Sequence, residues 1–471
     1  MTLGDCQSKE IAPVAEARRA VPPTFSKAFR FWLKLGFISF GGPTGQIALM
    51  HEELVEKRKW IGETRFLHAL NYCMLLPGPE ATQLATYIGW LLHKTWGGIV
   101  AGVLFVLPST LILWALSYVY VTFGKVAWVG SIFYGLKPAV LAIVAAAVIR
   151  IGKTALKNEV MWTLAALAFA AIYFFKTPFP LIILGAGLAG LIGGKLWKEK
   201  FLVIGSAAPK ARSALNANPQ SETANAPLLA AARADAVIGD DTESPAHVRP
   251  SLSRAIKVCG VCLLLWWLPV IFVGVWLGRD HTLFREEIFF SKAAMVTFGG
   301  AYAVLPYVSQ EAVENYHWLE AGQMLDGLGL AETTPGPMII VLQFVGFLGG
   351  WNQPGRLPPL GSATLGAFIT TWTTFVPCFL WIFLGAPHIE QMRGNVKLAT
   401  ALSAVTAAVV GVILSLAVWF GFHVLFPGGR RMDWFAIVVS LIAFFGMLKW
   451  KWDIIPIVIG SALLGLVFKS F

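Results

Sequence analysis

The stretch FISFGGPTG at residues 37–45 and the tripeptide PGP at 77–79 carry the pattern that decides the fold of this 471-residue chain. Both motifs recur, as FGG at 298–300 and PGP at 335–337. The interval is 258 residues in both cases (298 − 40 and 335 − 77), so the two copies align without a gap. The sequence therefore contains an internal duplication.

The composition is that of a membrane protein. Hydrophobic residues make up 56% of the chain and charged residues 13%, about half the ~25% that is usual in soluble domains. This balance excludes a soluble enzyme, a disordered scaffold and a nucleic-acid-binding protein. The net charge of +11 is then best explained by basic cytoplasmic loops.

A helix needs about 20 mostly apolar residues to cross a bilayer. Nine stretches qualify, some of them short: 97–120, 126–149, 160–175, 178–196, 256–277, 362–385, 396–426, 434–448 and 453–469. Four others are interrupted by GG or PGP: 28–50, 66–92, 286–308 and 325–348. Pro lacks an amide N–H and Gly favours the coil, so the backbone turns at these points. Within a membrane this is tolerated only inside protein or beside a wet cavity.

The charges of two equivalent loops predict that the halves are inverted. The loop 51–65 contains four basic residues, Lys57, Arg58, Lys59 and Arg65. Its counterpart, 309–323, contains no Lys or Arg, so the two loops are expected on opposite sides of the membrane. The extra span at 256–277 gives the odd number of crossings that inversion requires. Re-entrant hairpins place more basic residues in the cytoplasm than full crossings do.

We therefore predict an all-α polytopic membrane protein with two inverted, homologous halves, built from about nine full spans and four hairpins. The N-terminus is expected in the cytoplasm and the C-terminus in the periplasm. The expected parts are a cytoplasmic tail, a first membrane half, a largely disordered cytoplasmic linker, a connecting helix and a second membrane half: 1–27, 28–196, 197–255, 256–277 and 278–471.

Inverted repeats with broken helices are typical of secondary transporters. Broken helix ends expose amide N–H groups and a positive partial charge, which suit an anion. The alternative is that GG and PGP only kink packed helices, and that nearby polar side chains only satisfy the broken backbone. The predicted substrate-binding residues at the breaks are Gly41, Gly42, Thr44, Gln46, Pro77, Gly78, Pro79, Gln83, Gly299, Gly300, Thr333, Thr334, Pro335, Gly336 and Pro337.

Three lysines within apolar stretches, Lys34, Lys137 and Lys292, are also predicted to bind the anion. A lysine at mid-depth costs about 2.5–3.5 kcal/mol on insertion scales, which favours a functional role. Lys34 and Lys292 are repeat mates near the start of their stretches, so snorkelling to the interface is the alternative for them.

Two carboxyl groups at the breaks, Glu80 and Glu332, are predicted to carry a coupling proton. For Glu80 the alternative is a simple cap that neutralises a helix N-terminus.

Motifs for other chemistry are few. The sequence contains no GxxxxGK[ST] and no zinc-ligand spacing, so we expect no ATPase, no metal and no cofactor. Cys259 and Cys262 have CxxC spacing inside a predicted span. Two small apolar helix residues are the simpler interpretation, and a redox or metal-binding pair in a membrane enzyme is the alternative.

The motifs resemble those of the chromate ion transporter family. The first half carries the resemblance in FISFGGP at 37–43, ELVE at 53–56, Trp60 and LPGPE at 76–80. The second half carries it in FGGAY at 298–302, EAVE at 311–314, Trp318 and TPGP at 334–337. Two departures are Ala301, where the first half has Pro43, and the long linker.

The resemblance implies export of chromate across a bacterial inner membrane, driven by the proton gradient or the membrane potential, and thereby chromate resistance. It also implies sulfate as a mimic or competitor. The alternatives are a permease for sulfate or another small anion, and an anion channel. Expected partners are chromate and membrane lipid, not nucleic acid, and a homodimer is left open.

Overall fold

The computed structural model describes residues 22–201, 236–239, 250–388, 396–427 and 432–470. Nearly all of the predicted tail and most of the predicted linker, with its expected disorder, lie outside the described residues. Within these ranges the structure is helical apart from one isolated bridge between Ile61 and Ile238. The prediction of an all-α polytopic membrane protein is confirmed.

The first half contains seven helices. They are α1 (Phe25–Ile38), α2 (Gly42–His51), α3 (Glu63–Cys73), α4 (Glu80–Phe123), α5 (Ala127–Ala155), α6 (Glu159–Tyr173) and α7 (Phe179–Leu196). A π-helical turn, Glu52–Lys57, extends α2. Side chains cap the starts of α1 and α6, where Thr24 and Asn158 accept hydrogen bonds from Lys27 and Met161 amides.

Nine α-helices are described in the connecting helix and the second half, where 389–395, 428–431 and 471 are not described. They are α8 (Leu252–Trp276), α9 (Thr282–Val296), α10 (Ala301–Ser309), α11 (Ala321–Thr333), α12 (Val341–Asn352), α13 (Pro359–Gly385), α14 (Val396–Leu425), α15 (Trp434–Lys449) and α16 (Ile454–Ser470). A second π turn, Gln310–Asn315, extends α10 at the position equivalent to the first. The duplication in the sequence is thus a duplication of structure.

The breaks at FGG end in hairpins. After α2 and its π turn, Trp60 returns to Phe31 in the middle of α1, with ring centroids 5.0 Å apart. The repeat mates Trp318 and Phe289 make the same contact at 5.7 Å. The chain therefore enters and turns back in both halves, as predicted.

The second hairpin of the first half ends at a reversal inside α4. The backbone leaves helical geometry at His93 and Lys94, and Lys94 has φ 55°. On either side of this reversal Gly89 and Gly97 lie so close that a Cβ on either would overlap the other's carbonyl oxygen. The arm 80–92 therefore returns along the span that follows it. In the second half α12 and α13 make the same pair, with Gly346 against Gly366.

Six helices are long and apolar enough to cross a membrane: α4, α5, α7, α8, α13 and α14. The other predicted spans, α6, α15 and α16, are apolar but shorter. Loops predicted on one side contact one another: His93 bonds the Pro23 carbonyl at 2.9 Å, and Lys176 pairs with Glu314 at 3.5 Å on the other side. These contacts agree with the predicted order of crossings.

The two halves interlock around α5 and α14, which pack against each other. Helix α5 also packs on α15 and α16, the last two helices of the other half, and α14 packs on α6 and α7 in return. This exchange buries the centre of both helices and brings the four breaks toward the middle of the molecule.

Candidate functional site

The FGG and PGP breaks of opposite halves are joined by backbone hydrogen bonds. The Gly78 amide donates to the Thr297 carbonyl at 2.8 Å. The repeat-related bond runs from the Gly336 amide to the Ser39 carbonyl at 2.7 Å. Gly78 and Gly336 have φ of 118° and 106°, which only glycine adopts without strain. The structure therefore joins each FGG break to the PGP break of the opposite half.

Two glutamines support this junction from the first half. Gln46 Nε2 donates to the Gly336 carbonyl at 2.5 Å, with a longer bond of 3.5 Å to the Ser39 carbonyl. Gln83 Nε2 donates to the Pro77 carbonyl at 2.8 Å. Both side-chain amides satisfy broken backbone, which is the alternative role given to them above.

The two threonines before the second PGP are also occupied locally. The hydroxyls of Thr333 and Thr334 both donate to the Leu330 carbonyl, at 2.8 and 2.7 Å. They close the end of α11, and Thr334 is buried. Their hydroxyl protons do not point to a ligand in this arrangement.

The open donors lie at the start of α2. Gly41 and Thr44 are exposed, and no side chain caps this helix. No backbone acceptor within the described residues binds the amides of Gly42 and Thr44. At the equivalent start of α10, Ala301 and Tyr302 are buried, so the second-half residues Gly299 and Gly300 border a closed junction. The two breaks are thus equivalent in sequence position but not in access.

Basic side chains line the approach to this helix start. Lys27, Arg30 and Lys34 are exposed at intervals of three and four residues, so they share one face of α1, which ends beside Gly41. Lys292, the repeat mate of Lys34, is exposed on α9.

Lys137 lies elsewhere, in the contact between α5 and α11. Its Nζ is 3.8 Å from Asp326 Oδ2, and the Tyr120 hydroxyl donates to the same oxygen at 2.9 Å. Asp326 is buried, whereas Lys137 is partly exposed. The structure therefore separates Lys137 from the donors at the start of α2.

The two predicted proton carriers have different surroundings. Glu80 is the first residue of α4, is partly exposed and has no hydrogen-bond partner among the described residues. Glu332 is buried at the end of α11 and accepts a 2.6 Å hydrogen bond from the Tyr302 hydroxyl. Tyr302 was missed by the sequence analysis, although an aromatic hydroxyl two residues after a GG break was a readable signal.

The cysteines of the CxxC motif are free thiols. Cys262 is buried in an apolar cluster with Trp266 and Leu380. No group of three or more His, Cys, Asp or Glu residues that could hold a metal ion occurs in the described part of the chain.

Access to the junction differs between its two ends. In the second half α10 and α11 pack on α14 and α5. The equivalent helices α2 and α3 make at most marginal contact with α5 and α14 among the described residues. The faces of α2 and α3 that correspond to this packing are therefore uncovered among the described helices. We call this uncovered side, which leads from the loop 51–65 to Gly41, the groove.

Comparison with known proteins agrees with this architecture. The family model described as chromate transporter matches residues 26–191 and 287–466, which are the two membrane halves. No solved structure matches the chain.

Relatives match over most of their length. A chromate transport protein from Cupriavidus metallidurans is 28% identical over 94% of this chain and 93% of its own. A chromate transport protein from Pseudomonas aeruginosa is 30% identical over 84% of this chain and 81% of its own. A probable chromate transport protein from Synechococcus elongatus is 28% identical over 85% and 86%. With both halves matched and both pairs of broken helices in place, the chain belongs to the chromate transporter family.

Proposed function

We propose that the protein is a secondary active transporter that exports chromate across the bacterial inner membrane and so confers chromate resistance. The observation that carries the proposal is the junction of the four breaks, with uncapped amide donors at Gly42 and Thr44 beside it. Such donors suit a tetrahedral dianion. We propose chromate as the substrate because relatives that match both halves are named chromate transport proteins.

The breaks identified in the sequence remain the proposed binding region, but they have different roles in it. The helix start at Gly41, Gly42 and Thr44 supplies the donors, because it is open and uncapped. The PGP segments and the two glutamines hold its shape through the hydrogen bonds described above. The exposed face of Lys27, Arg30 and Lys34 attracts the dianion to the groove.

Export is the direction that the family resemblance implies, and the proposed orientation is consistent with loading from the cytoplasm. The groove opens beside the basic loop 51–65, which the positive-inside rule assigns to the cytoplasm, with the C-terminus in the periplasm. The described state therefore loads substrate from inside the cell. Opening of the other end requires α10 and α11 to leave α14 and α5, and α2 and α3 to take up the equivalent packing. Alternation between these arrangements is expected from inverted repeats.

Energy is proposed to come from the proton gradient or the membrane potential. Glu80 is the proposed proton carrier nearest the groove, because it is partly exposed and lacks a partner among the described residues. Glu332 is the second candidate, and its bond to Tyr302 ties its protonation to the closed junction.

Chromate flux into proteoliposomes tests the proposal. We expect uptake that requires an imposed pH gradient or potential, competition by sulfate, and loss of flux in Glu80→Gln and in Thr44→Pro, which removes an amide donor from the first turn of α2. An absence of chromate flux under every gradient would end the proposal. Stronger flux of sulfate than of chromate would favour a sulfate permease, and flux insensitive to both driving forces would favour a channel.

A further inference from the structure

Two adjacent glutamates are sealed inside the second half, away from the breaks. Glu286 and Glu287 lie in the second turn of α9, and each has 0% relative exposure. Their repeat mates in α1 are Ala28 and Phe29, so the carboxyl groups belong to the second half alone. The duplicated fold is built without them in the first half.

The carboxyl groups have no donors. None of their four oxygens has a hydrogen-bond partner among the described residues. The Glu286 carboxyl occupies space left by Gly349 and Gly366, because a Cβ on either glycine would collide with one of its oxygens. Helices α12 and α13 therefore leave room for this group.

Unsatisfied hydroxyls lie in the same seam. Ser362 and Thr370 are fully buried on α13, one turn to either side of Gly366. Neither hydroxyl oxygen has a hydrogen-bond partner among the described residues. Among the described residues, the seam between α9, α12 and α13 thus holds several buried oxygens, and the only side-chain donors shown beside them are these two hydroxyls.

The elements around α9 supply no cation to this seam. Helix α12 has no titratable residue, and α13 has only Cys378. On α9 itself, Arg285 and Lys292 are exposed and face away from the seam. The loops at this end contain Arg279, Asp280, His281 and Arg356, and the neighbouring helices α8 and α10 with its π turn contain Arg254, Lys257, Cys259, Cys262, Tyr302, Tyr307, Glu311 and Glu314.

The basic residues of α8 lie far from this level. Trp266 Nε1 donates to Ser291 Oγ at 3.0 Å, and Val273 packs with Leu283, which places the glutamates opposite the stretch near Val270. Lys257 is more than three helical turns from Val270. An ionised carboxylate without donor or counter-ion costs several kcal/mol to bury. Charge neutrality at this site therefore has to come from protons.

We propose that Glu286 and Glu287 form a proton-binding site in the second half. Closure of this half at its external end takes up protons from the external side. In the closed arrangement each bound proton forms an O–H bond to a carboxylate oxygen. When α10 leaves α14, α9 moves with it, because Phe289 on α9 packs on Tyr307 and Trp318. Water then solvates the carboxylates and the protons return to it. This inference rests on the proposed function, and it names the second-half groups through which external pH acts on transport.

Linkage gives the sign of the effect. Because the closed external half binds more protons than the open one, low external pH favours closure and high external pH favours opening. Replacement of both carboxyls by amides removes these two titrating groups, so the part of the dependence on external pH that they carry is expected to be lost.

The first test does not depend on transport. Infrared difference spectra between the wild type and Glu286→Gln/Glu287→Gln are expected to show, at pH 7, the carbonyl band of a protonated carboxylic acid in the wild type. Asp280→Asn, which removes an exposed carboxyl in the loop before α9, is expected to leave that band unchanged. A carboxylate band in place of the acid band at pH 7 would overturn the proposal.

The second test uses proteoliposomes with chromate at fixed membrane potential. We expect the wild-type flux to change at least about threefold between external pH 6 and 8, and the double amide variant to change by a clearly smaller factor, because only the response carried by the gradient and Glu80 remains. A variant that keeps the wild-type pH dependence overturns the proton site but leaves chromate transport standing. An acid band without any chromate flux overturns the proposed function and leaves the protonated site standing.

Discussion

Gln46 is the single side chain that ties the FGG break of one half to the PGP break of the other. It is buried, and its amide nitrogen serves the carbonyls of Gly336 and Ser39. Its repeat mate is Val304, so no equivalent bond from that position supports the second break. The junction is therefore asymmetric at its most buried hydrogen bond.

Gln46→Leu is expected to lower the free energy of unfolding by about 1–3 kcal/mol, because a buried carbonyl loses its donor. Thermal unfolding of the detergent-purified protein measures the change. Gln310→Leu, at the partly exposed start of the second π turn, is the control and should stay close to wild type. Equal melting temperatures for Gln46→Leu and the wild type would contradict the role.

Glu53 connects stability to pH at the end of the first hairpin. Its carboxylate accepts hydrogen bonds from Lys57 at 3.0 Å and Arg58 at 3.2 Å. The hydrogen bond from Lys57, opposed by partial burial and aided by Arg58, holds the pKa of Glu53 below its ordinary value. A lowered pKa stabilises the fold above the unfolded-state value and loses this contribution as pH falls through the folded-state value.

Glu53→Gln is therefore expected to lower the melting temperature at pH 7 and to match the wild type once the pH falls below about 4. Melting curves between pH 3.5 and 8 measure this. The control is Glu311→Gln at the equivalent position, where the carboxylate accepts from Asn315 instead of a cation. A Glu53→Gln deficit that persists unchanged at low pH would show that the effect is not electrostatic.

At the scale of elements, glycine pairs set the return of each hairpin. Gly89 and Gly97 let the arms of α4 meet backbone to backbone after the reversal at Lys94. Gly89→Val is expected to cost about 1–3 kcal/mol through overpacking. Gly260→Val on α8 is the control, since a Cβ there meets no atom within 4 Å. Equal thermal stability of the two variants would contradict the close approach.

The inversion of the halves has its own test. Glu56 and Glu314 are repeat mates, both exposed, at the ends of the two π turns. In a background with the native cysteines replaced by serine, Glu314→Cys is expected to react with an impermeant maleimide in intact cells. Glu56→Cys is expected to react only after permeabilisation. Labelling of both from one side would contradict the inverted topology.

At the scale of the whole molecule, α11 closes the end that the proposed orientation places outside the cell, and Asp326 holds it closed. Its carboxylate contacts Tyr120 and Lys137 on α4 and α5. Loss of this contact is expected to favour the arrangement in which α3 packs on the central helices. Asp326→Asn should then raise the outward-open population about fivefold, the change that about 1 kcal/mol produces.

Spin labels at Leu67 on α3 and Lys153 on α5 report this change, since both residues are exposed beside the groove. We expect the short-distance population between the labels to grow in Asp326→Asn. Asp280→Asn, an exposed carboxyl on the same side of the protein, serves as the control. An unchanged distance distribution would argue against alternation between the two packings.

Much of the fold could be predicted because the duplicated motifs consist of glycine and proline, which restrict the backbone conformation. PGP and FGG interrupt a helix, so their positions in the sequence predict where the hairpins turn. The reversal at His93 and Lys94 falls between the predicted stretches 66–92 and 97–120, so its place could be predicted, whereas the positive φ of Lys94 could not. Access to the breaks was not predictable either: Gly41 and Gly299 read alike in sequence, and only packing by α10 and α11 distinguishes them.

Residues 236–239, in the long connection between the halves, bind to the backbone of the first half next to Trp60. Val237 and Ile238 donate to the carbonyls of Lys59 and Trp60, and the Gly62 amide donates back to Ile238. The covalent path from there to α8 at Leu252 then reaches at most about 45 Å. Insertions before residue 236 therefore leave the length of the connection from Ile238 to α8 unchanged. Deletions after residue 239 shorten that connection and strain the contact of Ile238 with the hairpin at Trp60.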